Sequence, residues 1–173
     1  MQGTDAGSPP ADAASADLAT LSGPESDPLL KGITALHNQV RASVSPQPAV
    51  PIPPLVWDPT LAAAAQAVVD NCMTSYSSGG NGTNSVASIS AQSSASTVVN
   101  AWKSEAARYD YATNTCSSGT CAHYTQVVWR DSQKLGCAQK TCTTNSPFQN
   151  YPTWYFWVCF YSPAGNVNGQ KPY

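Results

Sequence analysis

Six cysteines constrain this 173-residue chain more than any other feature. Their count is even, and the residues around them are poor in lysine and glutamate and rich in serine, threonine and asparagine. In that setting cysteines form disulfides that fix a small exported domain, whereas a reducing cytosol keeps them as thiols or metal ligands. Cys116-x4-Cys121 and Cys137-x4-Cys142 are wider than tight zinc-knuckle spacings, and a zinc ribbon built on them would strand Cys72 and Cys159. With every cysteine in a bridge, no thiol remains as a nucleophile. Spacing alone leaves the pairing open. Charged residues make up only 10% of the chain, the formal net charge is -2 and the pI is about 5.5. No basic surface is available for nucleic-acid phosphates or anionic headgroups, and no apolar run is long enough to span a membrane. The length suits one domain.

Residues 1 to 28 lack hydrophobic periodicity, with Leu18 and Leu21 their only sizeable apolar side chains. They read as a flexible lead-in, since so little apolar area does not offset the entropy of ordering. The lead-in lacks the basic and apolar regions of a signal peptide, so export implies a signal already removed. Asp27-Pro28 then reads as a helix start, with Leu29, Ile33, Leu36 and Val40 at helical spacing until the proline run from Pro46 to Pro54. Asp58-Pro59 repeats the signal ahead of an alanine-rich helix from Leu61 to Cys72. Tyr76 to Ser94, rich in Gly, Ser and Asn, reads as a long loop. Ala95 to Tyr109 reads as a third helix, with Val98, Trp102, Glu105 and Tyr109 in one stripe. Beyond it the period becomes two, predicting strands over Tyr124 to Arg130, Lys134 to Thr141 and Trp154 to Tyr161, the last apolar on both faces and therefore covered twice. Helices followed by antiparallel strands give a layered α+β domain over 29–173.

Charge poverty narrows the search for chemistry. After residue 28 the chain has one glutamate, Glu105, and two histidines in all, His37 and His123. Glu105 shares a stripe with Trp102 and Tyr109, so it points inward and needs a partner. His123 is the obvious one, either as a proton-transfer pair or as a structural pair satisfying two polar groups. As metal ligands these two residues fall short of the three that catalytic zinc needs. His37, beside Leu36, reads as a packed or capping histidine, and Arg41 as a packing or cross-loop hydrogen-bonding residue. Asn81-Gly82-Thr83 is an N-glycosylation acceptor. Gly165-Asn166 and Asn168-Gly169 favour tight turns near the C-terminal end.

Several motifs, taken in order, resemble those of the CAP superfamily of cysteine-rich secretory proteins, antigen 5 and pathogenesis-related class 1 proteins. They are His37-Asn38 with Arg41, Pro53-Pro-Leu-Val-Trp-Asp58, Trp102-x2-Glu105-x3-Tyr109, Cys121-Ala-His-Tyr-Thr-Gln-Val-Val-Trp129, Leu135-Gly-Cys-Ala138 and Cys159-Phe-Tyr-Ser-Pro-Ala-Gly-Asn166. The resemblance implies a three-layer α-β-α sandwich around a central antiparallel sheet, stapled by Cys72–Cys142, Cys116–Cys121 and Cys137–Cys159. It also implies a cleft with two histidines and two glutamates, the histidines able to hold zinc. His123 and Glu105 match one of each. Tyr76 stands where the first histidine belongs, and Thr83 in Gly82-Thr83-Asn84 stands where the first glutamate belongs. Half the tetrad is missing, so no zinc is expected and His123 is at most a weak ligand.

Three functions follow as expectations. The leading one is a secreted, monomeric, non-catalytic protein binding a sterol or fatty acid in an apolar groove, with Ile52, Val86, Ile89, Val98, Phe148, Trp154 and Phe156 as candidate walls. The second is a defence- or virulence-type effector recognising a protein through the 76–94 loop, with release of a peptide from Pro163 to Tyr173 as a minor variant, since Phe160 replaces a usual asparagine. The third is a hydrolase or protease using Glu105 and His123.

Overall fold

The structure, a computed structural model, describes residues 25–91 and 94–173. Residues 1–24, on which most of the expected lead-in falls, lie outside the described residues. Asp27 accepts from the Leu29 N–H (2.8 Å) and opens a 3-10 turn at Pro28–Leu30. Gly32, at φ 77°, breaks that turn, and α1 runs over Ile33–Ala42. The single helix expected from Leu29 is therefore two pieces. Gly32 has no side chain to cap α1, and Glu25 does so from outside, accepting from Thr34 N (3.1 Å) and Thr34 Oγ1 (2.6 Å). The proline-rich stretch leads through β1 (Val56–Trp57) to Asp58, which caps α2 (Pro59–Asp70) by accepting from Thr60 N and Leu61 N.

Four strands form the main sheet in the order β1-β5-β6-β2. Strands β5 (Lys134–Cys142) and β6 (Trp154–Ser162) are antiparallel, and Cys137 sits directly opposite Cys159, to which it is bonded. Strand β2 (Gly82–Ser88) pairs antiparallel with β6. Strand β1 runs parallel to β5, so the sheet is mixed rather than antiparallel throughout. The cause is local: Val56 N and Asp58 N donate to Gln133 O and Leu135 O as the chain passes along β5 into α2. A second, two-stranded sheet joins β3 (Tyr109–Asp110) and β4 (Thr115–Cys116).

Alternation along β6 makes three layers. Trp157, Cys159 and Tyr161 enter the core shared with α1, with α3 (Ala95–Ser104) and with α4 (Ala122–Val127). Trp154, Phe156, Val158 and Phe160 enter the core under α2. That helix packs straight onto the backbone of β5, where a Cβ on Gly136 would lie 2.1 Å from Ala62 N. Cys72–Cys142 staples the end of α2 to the end of β5, and Cys116–Cys121 closes the loop ahead of α4.

Two sequence readings are corrected. Tyr124 to Arg130 is not a strand: Ala122–Val127 is helical, and the carbonyls of Val127, Trp129, Arg130 and Ser132 accept from the Arg41 guanidinium instead of a neighbouring strand. β-Branched composition yields here to tertiary context. The 76–94 loop contains β2, a polar edge strand whose sequence carries no apolar alternation because β6 supplies its pairing. In addition, the third helix tightens into a 3-10 turn at Glu105–Arg108 instead of running to Tyr109.

Arg41 is 1% exposed and also donates twice to Pro53 O. Burial pulls its pKa down to about 10, which leaves it charged at neutral pH. Arg41→Ala is expected to cost about 3 kcal/mol or more, because several buried carbonyls lose their donors together. A shift of the urea unfolding midpoint worth less than about 1 kcal/mol would contradict this.

Candidate functional site

Helix α3 starts at Ser94, whose hydroxyl accepts from Thr97 N, and ends in the 3-10 turn that swings Glu105 inward to 6% exposure. Glu105 Oε2 accepts from the backbone N–H of His123 and of Tyr124, each at 3.0 Å. Its Oε1 lies 2.7 Å from His123 Nδ1. The two N–H groups belong to the first turn of α4, whose own N-cap, Cys121, offers no side-chain hydrogen bond. Glu105 is thus a cap delivered to α4 from another helix, and its negative charge faces the positive end of that helix. With Nδ1 donating to the carboxylate, Nε2 is the ring nitrogen that has no hydrogen-bond partner among the described residues. The His123 side chain is 32% exposed and stacks on Trp102 at 6.2 Å.

Behind Trp102 lies a second imidazole. His37 is fully buried, meets Trp102 edge-on at 5.9 Å, and donates from Nδ1 to Ile33 O at 2.7 Å. Desolvation lowers its pKa to about 4, so the ring is neutral and Nε2 accepts from the Tyr161 hydroxyl at 2.9 Å. Burial likewise raises the pKa of the Tyr161 phenol. Asn84 Nδ2 donates to the Tyr161 oxygen (3.1 Å) and to His123 O (3.0 Å), which links α1 to α4 through the edge strand. Asn84 Oδ1 is buried and, among the described residues, has no hydrogen-bond partner. Sequence reasoning assigned no role to Asn84; the one available signal was its place in Gly82-Thr83-Asn84.

Tyr76 and Thr83 meet each other, their hydroxyls 2.9 Å apart. Tyr76 packs on Phe156 and Phe160, and Thr83 is the register partner of Phe160. Both therefore lie on the α2 side of the sheet, while Glu105 and His123 lie on the α3–α4 side. The structure does not assemble these four residues into one cluster. For a metal, the donors on offer are one imidazole nitrogen, a carboxylate already accepting three hydrogen bonds, and two hydroxyls bonded to each other. Among the described residues no three His, Cys, Asp or Glu side chains are grouped so that they could hold a metal ion. These residues do not fit a zinc site.

Of the candidate walls, Ile52, Val98, Trp154 and Phe156 are core; Val86 and Phe148 are partly buried and pack against it, and Ile89 is exposed. A mainly apolar groove of about 460 Å³ opens elsewhere, along α2, walled by Ala64, Ala67, Val68, Met73 and Tyr76, with Asn71, Ser75 and Ser77 also lining it. No described helix is long and apolar enough to cross a membrane.

Fold and site together define a disulfide-stapled α-β-α sandwich whose glutamate–histidine pair ties two helices. The chain belongs to the CAP, or cysteine-rich secretory protein, family, whose model matches residues 34–161. It is 40% identical over 142 residues to pathogenesis-related protein 1 of Arabidopsis thaliana, covering 80% of this chain and 78% of that one. It is 38% identical over 141 residues to the basic form of pathogenesis-related protein 1 of Nicotiana tabacum, covering 79% and 71%. The fold is shared with venom allergen-like protein 4 of Schistosoma mansoni, at a TM-score of 0.67 and 23% identity over 85% of this chain and 94% of that one.

Two outcomes follow. The unfolded chain takes up a proton on His37 near pH 6.5 and the folded chain only near 4, so this residue's contribution to stability is complete above about pH 6.5 and is lost as pH falls toward 4. The loss amounts to about 3 kcal/mol, and urea titrations between those pH values should show a slope that His37→Gln abolishes. Glu105→Ala should cost about 1–3 kcal/mol through the uncapped α4. An unchanged midpoint would show that the cap contributes nothing.

Proposed function

We propose that this chain is a secreted, monomeric, non-catalytic binding protein of defence type that takes a sterol or fatty acid in the groove along α2. Glu105 carries the non-catalytic half of this reading. Both of its oxygens are committed to α4 and to His123, which leaves no free general base. Among the described residues no hydroxyl or thiol hydrogen-bonds to His123 Nε2, so the hydrolase reading lacks a nucleophile poised on its base. The missing donors likewise argue that the cleft works without zinc.

The groove supports the ligand class. Its 460 Å³ falls within the size range of small-molecule sites, and its walls are mainly alanine, valine, methionine and tyrosine carbon, with Asn71, Ser75 and Ser77 as the polar groups. Met73, 51% exposed at its mouth, is an adaptable apolar side chain suited to such a ligand. The names of the plant relatives support a defence role, and the name of the family supports export. Protein recognition through 76–94 is the second reading, favoured by Ile89, which stands 42% exposed just past the edge strand.

Native mass spectrometry of the oxidised protein with a mixed sterol and fatty-acid extract, with and without zinc, tests the proposal. A retained lipid adduct independent of zinc is expected, and Ala67→Trp, a bulky change on an exposed face of α2, should remove it. No adduct, or stoichiometric zinc, would overturn the reading.

A further inference from the structure

A second cavity, on the other side of the molecule from the α2 groove, has a different chemistry. The C-terminal segment 163–173 crosses back over the 109–125 region and is tied to it. Asn114 Nδ2 donates to Gln170 O at 3.0 Å, Thr125 Oγ1 to Asn166 Oδ1 at 2.7 Å, Asn166 Nδ2 to Ala122 O at 2.9 Å, and Tyr111 OH to Tyr173 O. Tyr173 also stacks on Tyr111 at 4.6 Å, and Cys116–Cys121 locks the facing loop. Between these walls lies an open cleft of about 520 Å³.

Its lining contains no carboxylate, amine or guanidinium. The polar side chains are the amides of Asn114, Asn166, Asn168 and Gln170 and the hydroxyls of Tyr109, Thr115, Thr120 and Thr125. Asn168 and Gln170 are exposed, and among the described residues their side-chain amides have no hydrogen-bond partner. Each presents two N–H donors and a carbonyl acceptor to the opening. Val167, 46% exposed, and the edge of Trp129 add a small apolar patch beside them.

This combination selects among ligands. Arg108 is turned to Thr120 O and Lys171 lies over the Tyr111 ring, so neither cation lines the cleft; an anion inside it would find no cation to pair with, and a cation no carboxylate. A fatty chain would leave the amides desolvated and unpaired. A neutral polyol satisfies both halves of each amide, because every hydroxyl donates and accepts, and its C–H face lies against Val167. The cross-tied walls are ordered in advance, which lowers the entropy lost on binding. The geometry points to a binding site for a neutral oligosaccharide, separate from the lipid groove and independent of it.

The test uses the full oxidised chain, 15N-labelled, titrated with chitotriose and laminaritriose and, in parallel, with oligogalacturonate, palmitate and a neutral tripeptide. At least one neutral trisaccharide should shift the side-chain amide signals of Asn168 and Gln170, with a Kd on the order of 1 mM. The double variant Asn168→Ala with Gln170→Ala changes only exposed side chains. It should weaken binding by about tenfold or more while leaving the thermal midpoint in place. No shift from either sugar at about 10 mM would overturn the proposal. So would a shift caused by the tripeptide or palmitate in place of the sugars, or sugar binding that the double variant leaves untouched.

Discussion

One buried guanidinium sets the relation of the layers. Arg41 projects from α1 into a space where, among the described residues, no carboxylate pairs with it, and its charge is balanced by carbonyl dipoles of Pro53, Val127, Trp129, Arg130 and Ser132. Those carbonyls come from two stretches far apart in sequence, the proline-rich approach to β1 and the chain leaving α4. A planar fork with five donors reaches both at once, which an ammonium on a flexible stem would not do. The proline run has few N–H groups of its own, so its backbone is fixed through its carbonyls. The same arrangement keeps 127–132 out of the sheet.

The scarcity of charge acquires a physical meaning from the helix ends. Glu25 caps α1, Asp27 the opening 3-10 turn, Asp58 α2 and Glu105 α4. Each places negative charge where a helix leaves N–H groups unpaired. Carboxylates spent in this way hold elements together and are poor candidates for proton transfer. The Glu105–His123 pair belongs with these caps, and Trp102 between His123 and His37 joins it to the Asn84–Tyr161 chain of hydrogen bonds. The outcome is a polar network under α3 that organises the fold.

The sheet separates two surfaces of opposite character. On the α2 side, alanines selected for helix formation leave a shallow apolar groove. Beyond α4, the C-terminal turns and the Cys116–Cys121 loop enclose a cleft walled by amides and hydroxyls. A ligand suited to one is excluded from the other by desolvation alone, so the proposed lipid and sugar sites do not compete.

Much of this was legible from local pattern. The caps at Asp27 and Asp58, the stripe that turns Glu105 inward, and the double-sided apolar run of β6 follow from side-chain chemistry at fixed periods, which neighbours in sequence suffice to reveal. Strand β2 was not legible, because its polar residues take their hydrogen bonds from β6, some seventy positions away in register, as in Asn84 opposite Cys159. Nor was α4, whose β-branched sequence favours a strand until Glu105 caps it and Arg41 claims the carbonyls that follow. By itself the sequence determined the caps at Asp27 and Asp58, the doubly buried run of β6 and the inward glutamate. The parallel entry of β1, the separation of Tyr76 and Thr83 from Glu105, and the two cavities were decided only by tertiary packing, since each depends on which distant backbone groups remain unpaired once the layers close.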